Sequence, residues 1–165
     1  MIADPILLFR KLERHPRLEV RRRYLAGIVV VFDALLHLDD RDILSDCRAL
    51  CTVSVRAGWD RLLPRIRCHE PWVTRDVDWH VYPNGELCIE IDQRWADVMR
   101  YSQVHMSADE VAQYAADFFF NSTNWLLARH RYAFENSLSV WPSAWPQWAH
   151  GAKGVQEYRS QKTFF

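Results

Sequence analysis

The chain has no excess of charge of either sign: 21 Lys and Arg face 21 Asp and Glu in 165 residues. A dedicated nucleic-acid binder shows a basic excess, so a nucleic-acid partner is not expected. Long hydrophobic runs are also missing. The longest, Ala26 to Phe32, is far too short to cross a bilayer, and no membrane partner is expected. The N-terminus has no long apolar run behind basic residues, so no signal peptide is expected. Repeats, linkers and low-complexity segments are absent. Cysteine is sparse: four residues, and no Cys-x2-Cys knuckle. Four cysteines spread over this length do not make a secreted disulfide framework, and a reducing cytoplasm is the expected setting.

A zinc site fails on the same spacing. Cys47 and Cys51 on one strand lie about 13 Å apart at roughly 3.3 Å per residue. Thiolates bind zinc at about 2.3 Å, so without a bulge or turn the two cannot share an ion. Neither a metal nor a cofactor is expected.

What is present is a globular composition, 49% hydrophobic and 13% aromatic, in a length suited to one domain, residues 1–165. Asp4-Pro5 reads as a helix start, with Asp as N-cap and Pro at the first helical position. Ile6, Leu8, Phe9 and Leu12 supply its apolar face, and His15-Pro16 ends it, giving an N-terminal helix within 1–16. Residues 18–69 read as an antiparallel meander of about four strands: Leu18–Tyr24, Gly27–Leu38, Cys47–Arg56 and Arg65–His69. A bend holding Trp59 and Pro64 precedes the last strand. Residues 70–106 form a loop region. Ser107 and Glu110 then make a capping box for a helical segment, 107–136. Its buried stripe is Val111, Tyr114, Ala115, Phe118 and Phe119, with a possible break near Asn121-Ser122-Thr123-Asn124. Residues 137–165 are irregular and rich in tryptophan. Strands followed by helices give an α+β domain.

The cysteines divide by strand phase. Cys47 and Cys51 share a phase with Val53 and Val55, and Cys68 shares one with Ile66. These three read as small buried hydrophobes. In Tyr82-Pro83-Asn84-Gly85-Glu86-Leu87-Cys88-Ile89-Glu90-Ile91, the apolar phase is Leu87, Ile89 and Ile91. Cys88 falls on the other phase with Glu90 and Asp92, which places it outward. An outward thiol invites a chemical role.

The order helix, meander, cysteine loop, helix resembles the ubiquitin-conjugating enzymes. Their active-site segment reads His-Pro-Asn, a few variable residues, then Gly-x-Ile/Val-Cys-Leu. Gly85-Glu86-Leu87-Cys88-Ile89 matches its second part. The Trp59 to Cys68 stretch, with Pro64, sits where the family has a proline-rich bend and strand, and Trp95 falls about where a tryptophan is frequent. The resemblance covers roughly residues 1–120 and is densest from Trp59 to Trp95. The family's His-Pro-Asn falls on Asp78-Trp79-His80, so His80 replaces the asparagine. The last third does not follow the eukaryotic helices, and with the Trp-rich tail the combination resembles the divergent bacterial members, found in ubiquitin-like modification operons and in antiphage signalling around a cGAS-like nucleotidyltransferase.

The resemblance implies a UBC-like fold. It also implies a transferase that holds the C-terminus of a partner protein as a Cys88 thioester. The partner would be a cGAS-like nucleotidyltransferase, or a ubiquitin-like protein with its activating enzyme. Cysteine suits that chemistry because it is strongly nucleophilic and its thioester is activated towards amines. Glu86, Glu90 and Asp92 should raise the thiol pKa, which fits a nucleophile receiving an already activated acyl group better than a redox or protease cysteine. His80 is read as an oxyanion donor, as a base on the attacking amine, or as a structural loop histidine. Asp78 caps the loop or supports the site. Asn84-Gly85 is most simply a turn needing positive φ. His150 reaches the site only if the tail folds back. Arg10, Lys11 and Arg14 form a solvated face, which in the family contacts the activating enzyme. Trp141, Trp145 and Trp148 serve as core cover or as a docking surface, with Trp141 read as structural and Trp148 as near the partner. Two other readings stand beside the enzyme: an idle binding module of the same fold, and an unrelated α+β protein with a zinc or structural cysteine cluster.

Overall fold

The computed structural model describes residues 5–27, 29–56, 64–89 and 105–145. Helix α1 (Pro5–Glu13) is followed by strands β1 (Leu18–Ala26), β2 (Val29–Asp40), β3 (Leu44–Arg56) and β4 (Arg65–Cys68). A 3-10 turn (Val77–Trp79) and helix α2 (Ala108–Glu135) complete the order. The sheet is an antiparallel meander in the order β1-β2-β3-β4. The expected α+β order therefore stands, with β1 and β3 longer than their sequence bounds and β2 displaced two residues along the chain. Gly27, at φ +64, turns the chain after β1. That conformation suits glycine because it carries no Cβ.

One sheet face and the two helices enclose the core. Phe32, Ala34, Leu36 and Leu38 of β2 point inward, as do Ala49, Cys51, Val53 and Val55 of β3, while the residues between them are more exposed. This is the period-2 pattern of a sheet buried on one side. Leu8 and Leu12 of α1 meet Phe119 and Phe120 of α2 in the same cluster. His15 stacks on Phe120 and bonds Asp117 at 3.0 Å, which fixes the end of α1 against α2.

Two details of α2 follow from local chemistry. Ser107 adopts extended backbone and its hydroxyl accepts the Glu110 N–H at 3.3 Å, as a cap should. The break expected near Asn121-Ser122-Thr123-Asn124 does not occur; α2 runs through it. Thr123 returns its hydroxyl to the Phe119 carbonyl at 2.7 Å. The Asn124 amide takes the Asp39 N–H at 2.8 Å and gives to the Asp39 carbonyl at 3.0 Å. Thr123 thus bonds back to the carbonyl four residues earlier without breaking the helix, and Asn124 is engaged by the sheet, so neither ends α2. Arg129 adds an ion pair with Asp40 at 2.8 Å, so α2 is pinned to the end of β2 twice.

Candidate functional site

The segment after β4 is shaped by backbone bonds. Asp76 caps the 3-10 turn by accepting the Asp78 N–H at 2.9 Å. The capping role expected of Asp78 therefore belongs to Asp76; Asp78 is exposed as the turn's second residue. His80 ends the turn in the left-handed region, φ 60 and ψ 33. The chain then makes a second turn. The Tyr82 carbonyl accepts Gly85 N–H at 2.8 Å, the Asn84 side chain accepts Glu86 N–H at 2.9 Å, and Gly85 has φ +89. Asn84 is thus an exposed turn residue, in agreement with its plainest reading.

The cysteine follows. Cys88 donates its N–H to the His80 carbonyl at 2.8 Å, and Leu87 donates to Ile66 of β4 at 3.0 Å. The Tyr82 hydroxyl donates to the Cys88 sulphur at 3.5 Å. Cys88 is only 4% exposed, and Leu87 and Ile89 are buried with it. The outward placement read from alternation is therefore corrected. Glu86 and Leu87 make only isolated bridges, to Arg67 and Val81, and residues 88 and 89 are not a regular strand. Without a pleat the side chains need not alternate.

A cleft of about 490 Å³ opens beside this segment, lined among others by Pro64, Arg65, Tyr82, Leu87 and Cys88. Glu86, expected to load negative charge beside the thiol, lies 3.4 Å from Arg67 and 3.7 Å from Arg65. Two guanidinium groups thus offset its field. Glu90 and Asp92 lie outside the described residues.

The His80 imidazole packs edge-on against Trp141, centroids 5.0 Å apart, and does not line the cleft. His80 thus meets the Cys88 amide through its backbone carbonyl and Trp141 through its ring. His150, Trp148 and the bend at Trp59 lie outside the described residues. Arg10, Lys11 and Arg14 border a second cleft, about 390 Å³, with Asp109 at its rim. Lys11 pairs with Asp109 at 3.1 Å there, so this basic face is partly neutralised. The structure does not bring it to the cysteine loop. Among the described residues no cluster of His, Cys, Asp or Glu is arranged to hold a metal, and no helix is long and apolar enough to cross a membrane.

His130 was invisible to sequence reasoning, being one polar residue inside a long helix. It is 1% exposed. Its Nδ1 accepts the Thr74 N–H at 3.1 Å, and its Nε2 lies 2.8 Å from the Trp79 carbonyl. A carbonyl only accepts, so Nε2 carries the proton and the ring is neutral. Burial, opposed by the bond to Trp79, lowers its pKa from 6.5 to about 4. His130 therefore ties α2 to both ends of the segment that leads into His80. Tyr82 was also missed as a partner of the thiol; it sits within the cysteine motif, but its contact depends on how the Pro83 turn folds back.

No known protein family matches this chain, and neither a curated protein nor a solved structure matches it.

Proposed function

We propose that the protein carries an acyl group as a thioester on Cys88, in the manner of the ubiquitin-conjugating enzymes. The observation that carries this reading is Cys88 at the wall of the cleft, with the Tyr82 hydroxyl on its sulphur and the His80 carbonyl on its amide. The order of α1, the four-stranded meander, the cysteine loop and α2 supports it. In the reaction the sulphur bonds to the activated C-terminal carbonyl of a partner protein and its leaving group departs. An amine then attacks the thioester and releases the thiol. The donor is the C-terminus of a cGAS-like nucleotidyltransferase in bacterial antiphage defence. The alternative donor is a ubiquitin-like protein of a modification operon, delivered by its activating enzyme.

The 4% exposure of Cys88 favours a second reading, an idle binding module of the same fold. Coexpression with the nucleotidyltransferase and its operon separates the two. The transferase reading expects an adduct cleaved by thiol reductant, lost in Cys88→Ala and kept in Cys68→Ala. An adduct that persists in Cys88→Ala, or stable binding with no adduct in the wild type, would overturn it.

His80 holds the loop through its backbone in this reading. Asparagine and glycine both accept left-handed backbone, whereas alanine resists it at a cost of roughly 1–2 kcal/mol. His80→Asn and His80→Gly should therefore keep adduct formation within about ten-fold of wild type. A loss on the order of 10²-fold in the glycine variant alone, with its melting temperature unchanged, would restore the oxyanion-donor role.

A further inference from the structure

Cys51 and Cys68 are register partners across β3 and β4. The neighbouring pair, Leu50 and His69, is joined by the His69 N–H to Leu50 carbonyl bond at 2.8 Å. Hydrogen-bonded and non-hydrogen-bonded pairs alternate along an antiparallel ladder, so Cys51 and Cys68 form a non-hydrogen-bonded pair. Such pairs hold their Cα atoms about 4.5 Å apart with the side chains at their closest. A disulfide spans Cα separations of about 4.4–6.8 Å. Both side chains point to the same inner face, at 0% and 2% exposure. The Cys51 thiol is in hydrogen-bonding contact with Cys68; that contact, then burial, raises its pKa well above the ordinary thiol value. No other described cysteine pair shares a register position: Cys47 faces Leu38, and Cys88 lies in the loop beyond β4.

We propose that Cys51 and Cys68 are a disulfide-forming pair, oxidised by hydrogen peroxide and able to lock β4 onto the sheet. One thiol attacks the peroxide oxygen to give a sulfenic acid and one water. The second thiol attacks that sulphur and expels a second water. Two thiols and one peroxide thus become one disulfide and two waters, the peroxide taking up the two electrons. β4 is a four-residue edge strand, so brief fraying of this edge gives the oxidant access. The raised thiol pKa keeps the thiolate scarce and makes the step slow, as befits a pair that responds to sustained oxidation. The consequence reaches the cysteine loop, because Ile66 and Arg67 of β4 hold Leu87 and Glu86. The pair does not depend on what Cys88 does, and it adds a role to two cysteines otherwise read as filler.

The test is to treat the full chain with hydrogen peroxide and map tryptic peptides without reductant. Peptides 49–56 and 68–75 should appear joined. Closing a loop of roughly 15 residues should raise the melting temperature by about 5–10 °C. Dithiothreitol should reverse both effects, and Cys68→Ala should show neither. Oxidation of either residue to sulfinic or sulfonic acid without the link would overturn the proposal. So would a link to Cys47 or Cys88, or a link that leaves the melting temperature unchanged or lower.

Discussion

His130→Ala should cost about 3 kcal/mol or more at pH 7, and most of that cost should vanish by pH 4. The substitution strands the Thr74 N–H and the Trp79 carbonyl, and each stranded buried group costs roughly 1–3 kcal/mol. The pH dependence follows from the ring itself. Unfolded, His130 titrates near 6.5; folded, its pKa is lowered to about 4. Above 6.5 both states are neutral and the contribution is fully present. Between 6.5 and about 4 the unfolded chain binds the proton and the folded one does not, so stability falls with pH. Below about 4 the loss is complete. At 1.36 kcal/mol per pKa unit the total is about 3 kcal/mol. Urea unfolding of wild type and variant from pH 7.5 to 4 checks this, the difference between them removing the other titrating groups. A gap that stays constant over that range would show that His130 contributes packing alone. Protonation is costly because a charged ring would need Nδ1 to donate, and Nδ1 faces the Thr74 N–H.

The second large effect belongs to Trp141. Trp141→Ala should destabilise the protein by about 3–5 kcal/mol and lower the melting temperature by roughly 10 °C. Trp141 is 6% exposed and its ring meets Trp79, His80, Trp125 and Trp145 at centroid distances of 5.6, 5.0, 5.9 and 5.1 Å. It therefore covers the Trp79 end of the His130 bridge and the residue whose carbonyl holds Cys88. Its indole N–H is buried with no acceptor among the described residues. Trp141→Phe removes that N–H along with part of the ring, so its cost should stay below about 1.5 kcal/mol. Thermal melting of the two variants decides the matter. An alanine variant as stable as wild type would mean that the cluster is surface cover and not part of the core.

The stabilising part of the tryptophan tail is thus Trp141, as its sequence reading has it, while Trp148 lies beyond the described residues. Stability is thereby linked to the candidate site. His130 and Trp141 both hold the Thr74–His80 segment, so a variant of either should disturb the cysteine loop before the sheet.

The elements that carry strong periodicity could be read from residues alone. The alternation in β2 and β3, the Ser107 cap and the Pro5 and His15-Pro16 limits of α1 are local signals, set by backbone sterics and by burial of one face, while Asp4, read as the N-cap, lies outside the described residues. Cys51 and Cys68 likewise fell on the core phase. Cys47, on the same phase, is only half-buried; it sits beside the left-handed Asp46, where the register shift between Leu38 and Asp40 interrupts the regular ladder. Asn124 shows the opposite case. Its polarity pointed to a helix break, and only the nearness of Asp39, far off in sequence, converted it into a clamp.

At the cysteine loop the local code ran out for a physical reason. Alternation assigns faces only where a continuous ladder enforces the pleat, and residues 86–89 have two isolated bridges instead. Sequence by itself determined the meander, the turn at Asn84-Gly85 and the cysteine that follows it. Tertiary structure decided that this cysteine is buried, that His80 turns its ring to Trp141, and that His130 and Tyr82 belong to the site. Those contacts join residues from separate elements. Their energies depend on distance and desolvation, which no spacing along the chain encodes.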